Sequence, residues 1–177
     1  NSAKWSDVLY AERVSDVEIS GGKIQGERDR HRGSTGQWGH GITLRGASRV
    51  TIRDILISKC WGDGICMGCA YPTGSKPSLR CNDVVVSNVA CTDNRRQGMS
   101  IGQANNVKVY DSEFSYTNGL APGCGIDIEP DVNYPGTATN VRIENCSIHH
   151  NQGNGIQVYK KCQGTTITKC KIERNGG

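Results

Sequence analysis

Six short segments of the chain share one pattern of apolar and polar positions. They align without gaps as VEISGGKI (17–24), VTIRDILI (50–57), VVVSNVAC (84–91), VKVYDSEF (107–114), VRIENCSI (141–148) and TTITKCKI (165–172). Most begin with alternating apolar residues, continue through a polar turn and end with a second short apolar pair. Alternation with a period of two predicts short strands that each bury one face.

A second apolar element precedes each segment after the first. These elements are GITL (41–44), GICM (64–67), GMSI (98–101), GIDI (125–128) and GIQV (155–158). The period of two places one row of side chains inside, together with the residues two positions further on. The inner row is Ile42, Ile65, Met99, Ile126 and Ile156, and the outer row is Thr43, Cys66, Ser100, Asp127 and Gln157.

The repeat predicts a solenoid. Consecutive segments in the first set start 23, 24, 33 or 34 residues apart, which leaves room for three short strands and three turns in each repeat, plus a loop in the longer ones. One such unit cannot bury its apolar stripe alone, whereas stacked units form a continuous core. We therefore predict an all-β fold, a right-handed parallel β-helix of about six coils with three short sheets, as one domain over residues 1–177.

Other architectures explain the pattern less well. No segment keeps a helical period of 3.6 residues, and no leucine framework is present. An antiparallel β-sandwich is the alternative, although hairpin signals such as Asn-Gly are few. Because the chain starts at Asn1 and ends in mid-coil at Gly177, we expect it to be an excerpt of a longer chain.

One position of the repeat predicts a stacked corner. The fifth residue of the six segments reads Gly21, Asp54, Asn88, Asp111, Asn145 and Lys169. Asn and Asp favour tight turns because their short polar side chains form hydrogen bonds with nearby backbone groups.

Composition narrows the classes of function. Hydrophobic residues make up 35% of the 177 residues, and Phe occurs once, so the core must consist of small aliphatic side chains. The net charge of +4 comes from scattered Lys and Arg rather than from a run, which argues against a nucleic acid partner. No apolar stretch approaches 18 residues, so we expect no membrane insertion.

The nine cysteines recur at intervals that suit buried thiols. Five of them, Cys60, Cys91, Cys124, Cys146 and Cys170, follow the spacing of the coils, and small buried side chains fit such positions. Cys69 and Cys81 bracket a loop and are the pair most suited to a disulfide.

The longer inserted segments flank one column of strands. They are residues 27–39 before GITL, 69–80 after GICM, 119–122 before GIDI and 130–138 after it. Loops on both sides of one sheet make a groove, and function tends to lie on loops held by a rigid scaffold. A groove that rises ~4.8 Å per coil suits a linear polymer, so we expect a polysaccharide as substrate.

Three acidic residues on this column are the candidate catalytic groups. Asp127 and Glu129 share one face of a strand at ~6.6 Å, and Asp63 lies two coils away, at ~9–10 Å. Retaining glycosidases use carboxyl pairs at ~5–5.5 Å, and inverting ones use pairs at ~6.5–9.5 Å. Solvated surface or calcium binding is the alternative for these acids.

Further polar and aromatic residues of the column are candidate substrate-binding groups. Arg95 and Arg96 would lower a carboxylate pKa or hold an acidic sugar, and Trp38 would stack on a sugar ring. The set is His40, Arg95, Arg96, Gln97, Asp131, Gln157, Tyr159 and Trp38. We predict no metal site and no cofactor, with Ca²⁺ required only if the protein is a lyase.

The whole chain resembles the pectin-lyase-like β-helix proteins, which include polygalacturonases, pectate lyases, alginate epimerases and bacteriophage tailspike depolymerases. The motifs GGKIQGERD (21–29), QWGHGI (37–42), GDGI (62–65), NRRQGMSI (94–101) and GIDIEPD (125–131) resemble most the β-helix of phage tailspikes and related bacterial proteins.

In polygalacturonase-type enzymes, acids on successive coils protonate the leaving oxygen and activate water, and GDGI at Asp63 resembles one such motif. Arg95, Arg96 and Gln97 stand where that type has a pair of Asp residues. The tailspike resemblance implies a homotrimer and an extracellular or virion-associated location.

Three functions are consistent with these features. The first is a glycoside hydrolase that uses Asp127 or Glu129 together with Asp63. The second is a polysaccharide lyase or uronate epimerase, in which Arg96, His40 or Tyr159 takes the C5 proton while a cation neutralises the sugar carboxylate. The third is a non-catalytic glycan-binding or shaft segment of a phage tailspike.

Overall fold

Each coil of the protein contributes one strand to a six-stranded parallel sheet, which we call sheet A. The computed structural model describes residues 5–176. The strands of sheet A, in spatial order, are β1 (Leu9–Glu12), β4 (Ile42–Arg45), β6 (Ile65–Gly68), β8 (Met99–Ile101), β11 (Ile126–Ile128) and β14 (Ile156–Val158). The pairing is in register, so Thr43, Cys66, Ser100, Asp127 and Gln157 form one row across the sheet.

The remaining strands form the other two faces of the coil. They are β2 (Ser15–Ser20), β3 (Lys23–Gln25), β5 (Ser48–Ser58), β7 (Cys81–Thr92), β9 (Ala104–Tyr110), β10 (Glu113–Ser115), β12 (Ala138–Glu144), β13 (Ser147–His149), β15 (Cys162–Gln163), β16 (Thr166–Thr168) and β17 (Lys171–Glu173). Strands β5 and β7 continue through the corner and join both faces into one 11-stranded sheet. Two of the three predicted sheets are therefore one bent sheet.

The pairings between these strands are all parallel, and six coils are present, which confirms the predicted parallel β-helix. Among residues 5–176 the helical structure is one 3-10 turn, Arg28–Arg30. No helix in that part of the chain has the length and hydropathy needed to cross a membrane.

Aliphatic side chains stack from coil to coil in the interior. Ile42, Ile65, Met99 and Ile126 of the predicted inner row have no exposed surface, and the single Phe, Phe114, is equally buried. In the last coil the predicted inner residue Ile156 is only half-buried. The core is thus built mainly from aliphatic side chains that recur at equivalent positions of successive coils.

A glycine column sets how closely the coils approach at the start of sheet A. A Cβ added to Gly41, Gly64, Gly98 or Gly125 would lie 2.5–2.7 Å from the carbonyl oxygen of the next glycine in the column. The same carbonyls accept the backbone N–H groups of the next residues, for example Ile65 N–H to Gly98 O at 3.1 Å. Any larger residue would force adjacent coils apart at this corner.

The predicted corner column is present, for a different physical reason. Asp54, Asn88, Asp111 and Asn145 all have left-handed backbone, with φ between 50° and 57°, and Asn and Asp tolerate that conformation better than most residues do. Their side chains bond to each other rather than to the backbone. Asn88 Nδ2 donates to Asp54 Oδ1 at 2.7 Å, and Asn145 Nδ2 donates to Asp111 Oδ1 at 2.6 Å.

Buried asparagines hold a second corner from the inside. Asn151 Oδ1 accepts the N–H of Thr117 at 3.1 Å, and its Nδ2 donates to the carbonyl of Phe114 at 3.0 Å. Asn94 forms the equivalent pair of bonds with Cys60 and Ile57. Each amide therefore satisfies one backbone donor and one backbone acceptor of the neighbouring coil, which would otherwise be buried without partners.

All nine cysteines are free, and seven of them are buried. The disulfide between Cys69 and Cys81 expected from the loop spacing is wrong. The Cys81 thiol instead donates to the carbonyl of Gly68 at 3.1 Å, because the residue sits in the core at the start of β7. The prediction that the coil-spaced cysteines are free thiols agrees with the structure.

Replacing Asn151 with Ala should lower the free energy of unfolding by about 2–6 kcal/mol, because two buried backbone groups lose their partners at about 1–3 kcal/mol each. Urea denaturation followed by circular dichroism measures the change. The control is Asn82→Ala, since that amide forms one local bond to the carbonyl of Arg80; it should cost less than about 0.5 kcal/mol. Equal effects of both substitutions would contradict the proposed role of the buried amide.

Candidate functional site

A cavity of about 180 Å³ opens on the outer face of sheet A. Three of the four predicted loops contribute to its lining. Residues 27–39 contribute Gln37 and Trp38, residues 69–80 contribute Tyr71, and residues 130–138 contribute Asp131. The complete lining is Gln37, Trp38, His40, Arg45, Cys66, Met67, Tyr71, Arg96, Ser100, Gly102, Gln103, Asp127, Glu129 and Asp131. Because these loops cover the outer row of sheet A, Cys66 and Asp127 are only 8% and 1% exposed. Solvated surface, the alternative interpretation of the acids, therefore does not apply to Asp127.

Asp63 lies under the cavity and is held by an ion pair. Its side chain has no exposed surface, and Arg96 Nη1 contacts both carboxylate oxygens, at 3.1 and 3.0 Å. Ser100 Oγ donates a hydrogen bond to Oδ2. The two-coil separation from Asp127 agrees with the prediction, but Asp63 does not line the cavity. Its catalytic role stays a prediction.

Asp127 stands on β11 at the floor of the cavity, between two glutamine amides. Gln97 Nε2 donates to Oδ2 at 2.5 Å, and Gln157 Nε2 donates to Oδ1 at 3.1 Å. Gln97 is fixed in this orientation because its Oε1 accepts the backbone N–H of Cys124. The row brings Gln157 to Asp127, and the turn before β8 brings Gln97, so that both amides position the carboxyl group.

The surroundings of Asp127 favour its protonated form. Burial and the negative charge of Glu129 raise its pKa to about 6, although the Gln97 amide and the Arg96 guanidinium oppose the rise. Glu129 follows β11 directly on the same face and is exposed to solvent. A carboxyl group that titrates near neutral pH beside an exposed carboxylate is an arrangement found in acid–base catalysis.

His40 lines the cavity and contacts the acid below it. Its Nδ1 accepts the backbone N–H of Asp63 at 2.9 Å and lies 3.5 Å from Asp63 Oδ2. Burial lowers the pKa of His40, but negative charge on Cys66 and Asp63 outweighs it and raises the pKa to about 9. Since a backbone donor faces Nδ1, the proton that the ring can donate lies on Nε2.

The His40 ring also approaches Cys66. One nitrogen, one oxygen and one sulfur atom of His40, Asp63 and Cys66 lie within 4.8 Å of one another. The Asp63 oxygens are occupied by Arg96 and Ser100, and His40 Nδ1 is occupied by a backbone donor. These contacts do not leave the complete ligand set that a metal ion requires.

Two predicted binding residues lie elsewhere. Arg95 packs its guanidinium 3.8 Å from the ring centre of Trp61 and donates to the carbonyls of Gly36 and Ser34. It therefore anchors the loop over residues 27–39 and does not point into the cavity. Tyr159 is 46% exposed and packs against Lys160 rather than lining the cavity.

Aromatic pairs stand on both walls of the cavity. Trp38 is 49% exposed and packs against Trp5 at a centroid distance of 5.0 Å. Across the cavity, Tyr71 is 42% exposed and packs against Tyr134 at 4.3 Å. Exposed aromatic faces of this kind stack on the apolar faces of flat ligands such as sugar rings.

Sequence reasoning missed Cys66, Arg45 and Gln103 as site residues. Cys66 was placed on the outer row by the alternation, yet it was not recognised as a chemical group of the site. The signal was its row position, which it shares with Ser100 and Asp127. Gln103 carried no comparable signal: its Nε2 donates to the carbonyl of Asp131 across two loops, which the strand pattern does not specify.

The buried ion pair gives a prediction about stability. Replacing Arg96 with Met leaves the Asp63 charge buried without its partner, so we expect a loss of about 3–5 kcal/mol in the free energy of unfolding. The double variant Arg96→Met, Asp63→Asn removes both charges and should recover most of that loss, as measured by urea denaturation.

The matched control is Arg142→Met. It breaks a surface pair with Glu144, at 2.8 Å, and should cost less than about 1 kcal/mol. A double variant no more stable than Arg96→Met alone would contradict the assignment of this pair as the dominant interaction of Asp63.

Curated relatives cover the chain but extend far beyond it. YclG, an uncharacterized protein of Bacillus subtilis (strain 168), is 34% identical over 170 residues, which is 87% of this chain and 28% of that protein. YorA, an uncharacterized SPbeta prophage-derived protein of the same organism, is 29% identical over 188 residues, or 99% of this chain and 28% of that protein. The chain therefore spans little more than a quarter of the length of either relative.

Solved structures share the fold at low identity. Pectate lyase Pel9A superposes with a TM-score of 0.62 at 15% identity, over 80% of this chain and 33% of that one. The tailspike protein gp49 of Acinetobacter baumannii bacteriophage Fri1, a capsular polysaccharide depolymerase, gives 0.59 at 16%, over 86% and 31%. An alginate lyase from Paenibacillus sp. str. FPU-7 gives 0.60 at 17%, over 93% and 58%.

The sequence family described as the right handed beta helix region matches residues 10–177. This match extends from the first strand of sheet A through the last coil, and it agrees with the stacked parallel coils of the structure and with the pectin-lyase-like fold expected from the motifs. The chain belongs to the right-handed β-helix family.

Proposed function

We propose that the protein hydrolyses glycosidic bonds of a linear acidic polysaccharide bound in the cavity over sheet A, with Asp127 as the proton donor. The observation that carries this proposal is a buried carboxyl group with a pKa raised to about 6, next to a second carboxylate, Glu129. A glycoside hydrolase needs one carboxyl group that keeps its proton near neutral pH and another that is ionised.

The hydrogen bonds of Asp127 determine where its proton lies. Oδ2 accepts from Gln97, whose orientation is fixed, so the proton belongs on Oδ1. Oδ1 faces Gln157, whose Oε1 accepts from Asn154. When Oδ1 is protonated it can still accept the Gln157 N–H through a lone pair, so its own O–H can be donated to a leaving-group oxygen in the cavity.

Glu129 is the partner carboxylate. Residues two apart on a strand are separated by ~6.6 Å along the chain, which lies close to the carboxyl separations of both inverting and retaining enzymes. In an inverting reaction Glu129 would activate water, and in a retaining reaction it would attack the anomeric carbon. Asp63 acts through Arg96 as a positioning residue in this proposal, since Arg96 reaches the cavity and Asp63 does not.

The cavity walls favour an acidic glycan. Arg45 and Arg96 both line the cavity and supply guanidinium groups, which bind carboxylates well. Trp38 and Tyr71 offer exposed rings on opposite walls for stacking on sugars. The structural relatives named as pectate lyase, capsular polysaccharide depolymerase and alginate lyase support a polysaccharide ligand. They also support an extracellular or virion-associated location, while the homotrimer stays a prediction.

A polysaccharide lyase or epimerase is the second candidate. The same two guanidinium groups favour it, because they would neutralise the carboxylate of a uronic acid during removal of its C5 proton. Of the base candidates, His40 and Arg96 line the cavity, and His40 would have to release either the Asp63 N–H from Nδ1 or the proton from Nε2 before it could accept the C5 proton. The products separate the candidates, since a lyase leaves an unsaturated sugar with ultraviolet absorbance and a hydrolase does not.

We expect Asp127→Asn to lower the rate of reducing-end release by roughly 10²- to 10⁴-fold, the usual contribution of a general acid. The assay is a panel of polygalacturonate, alginate and bacterial capsular polysaccharides. The wild-type rate should fall as the pH rises through about 6, because the protonated fraction of Asp127 decreases there. Glu144→Gln on the outer surface of β12 is the control, and it should leave the rate unchanged.

The same assay also gives the results that would contradict the hydrolase proposal. Unsaturated products would replace the hydrolase with the lyase. Glycan binding without any product, combined with an effect of Asp127→Asn on affinity alone, would mean a binding or shaft segment. Proton nuclear magnetic resonance of the first-formed anomer then distinguishes inversion from retention.

A further inference from the structure

Arg45 is a half-buried cation without a carboxylate partner. Arg45 takes part in none of the ion pairs within residues 5–176. Its hydrogen bond runs from Nη2 to the sulfur of Cys66, at 3.6 Å, and the ring of Tyr71 lies 5.8 Å from its Cζ. A guanidinium removed from water needs a compensating charge, and the sulfur of Cys66 is the group placed to supply it.

A second donor approaches the same sulfur. Because His40 Nδ1 faces the backbone N–H of Asp63, the proton that the ring can donate lies on Nε2. His40 and Cys66 lie within 4.8 Å of each other through their ligand atoms. Thus one guanidinium N–H and one imidazole N–H are available to a single sulfur, which is the arrangement that stabilises a thiolate.

The adjoining rung holds a polar group without a partner. Thr43 pairs in register with Cys66 on the same outer face, is 1% exposed, and its Oγ1 makes no hydrogen bond. A hydroxyl in that position is available as a further donor to a neighbouring anion. The donors near Cys66 therefore all come from the preceding coil, Thr43 and Arg45 from β4 and His40 from the turn before it.

We propose that Cys66 is an ionised, nucleophilic thiol on the floor of the cavity, and hence a site of covalent modification by soft electrophiles. This assignment does not depend on the proposed glycan chemistry, which uses Asp127 and Glu129. It gives the cavity a third reactive group, two strands from Asp127 in sheet A.

The charges around Cys66 support this state. Burial and Asp63 disfavour the thiolate, but His40 and Arg45 outweigh them and lower the pKa of the Cys66 thiol below its ordinary value. Arg96 and Ser100 hold the Asp63 carboxylate and offset its charge. Burial instead raises the thiol pKa of the more exposed Cys162.

Iodoacetamide labelling of the folded protein tests the proposal. The thiolate sulfur forms a bond to the methylene carbon, the carbon–iodine bond breaks, and iodide leaves, so no oxidant is required. Peptide mass spectrometry follows each cysteine as a function of time and pH. At pH 7 we expect Cys66 to react on the order of tenfold faster than Cys162, despite its lower exposure.

The pH profile separates reactivity from access. Burial slows labelling at every pH alike, whereas the midpoint of the rate–pH curve reports ionisation. We expect a midpoint for Cys66 below the ordinary thiol value of about 8.5, and an upward shift in Arg45→Met and in His40→Gln. A Cys66 midpoint at or above that of Cys162 would overturn the proposal, whatever the absolute rate.

Two controls keep the test decisive. Cys66→Ser must remove the fast-labelled peptide, and circular dichroism must show that the variants remain folded. If Arg45→Met does not fold, the midpoints of the rate–pH curves of the wild-type protein and of His40→Gln still test the proposal. Both measurements require only the intact cavity. An unchanged midpoint in every folded variant would mean that Arg45 and His40 do not stabilise the thiolate.

Discussion

The close approach of successive coils along sheet A is the constraint on which the site depends. Parallel backbone hydrogen bonds join each coil to the next, and at the start of each strand the glycine column brings backbone within 2.5–2.7 Å of where a Cβ would lie. The register of neighbouring strands is therefore fixed, because a shift of one residue would turn every side chain of a strand to the opposite face of the sheet. The outer row therefore lies in register, so Cys66, Ser100 and Asp127 sit on consecutive rungs.

Loops then change the environment of that row. A row of polar groups on an open sheet would face water, but the segments over residues 27–39 and 130–138 cover it and leave a small cavity. Charges placed there interact more strongly than at a surface because the surroundings are less polar. Arg95 contributes by fixing one loop through carbonyl bonds and the Trp61 ring, so a residue that does not line the cavity still determines its shape.

The strand pattern was sufficient to predict the fold, the number of coils, the outer row and the column that carries the site. It was insufficient where side chains cross between coils. Arg96 and Arg95 are adjacent in sequence, yet one pairs with Asp63 under the cavity and the other holds a loop, because both lie in the bend between β7 and β8, where strand alternation does not set the side-chain direction. The expected Cys69–Cys81 disulfide failed for a similar reason: loop spacing gives no direction for the thiols. Burial of Asp127 depended on loop cover, which alternation cannot specify.

Electrostatic surroundings, rather than residue type, assign different roles to the acids of the site. Asp63 is paired with a guanidinium and a hydroxyl, which bind its carboxylate oxygens. Asp127 is buried and lies beside Glu129, and these two effects raise its pKa although the surrounding amides oppose the rise. Cys66 supplies Arg45 with the negative charge that the Asp63 carboxylate supplies to Arg96. Each of the two guanidinium groups has its own anion, since Asp63 pairs with Arg96 and Cys66 pairs with Arg45. The charge of Asp127 is therefore not needed to compensate either guanidinium. Its carboxyl group is therefore free to gain or lose a proton without leaving a cation buried alone.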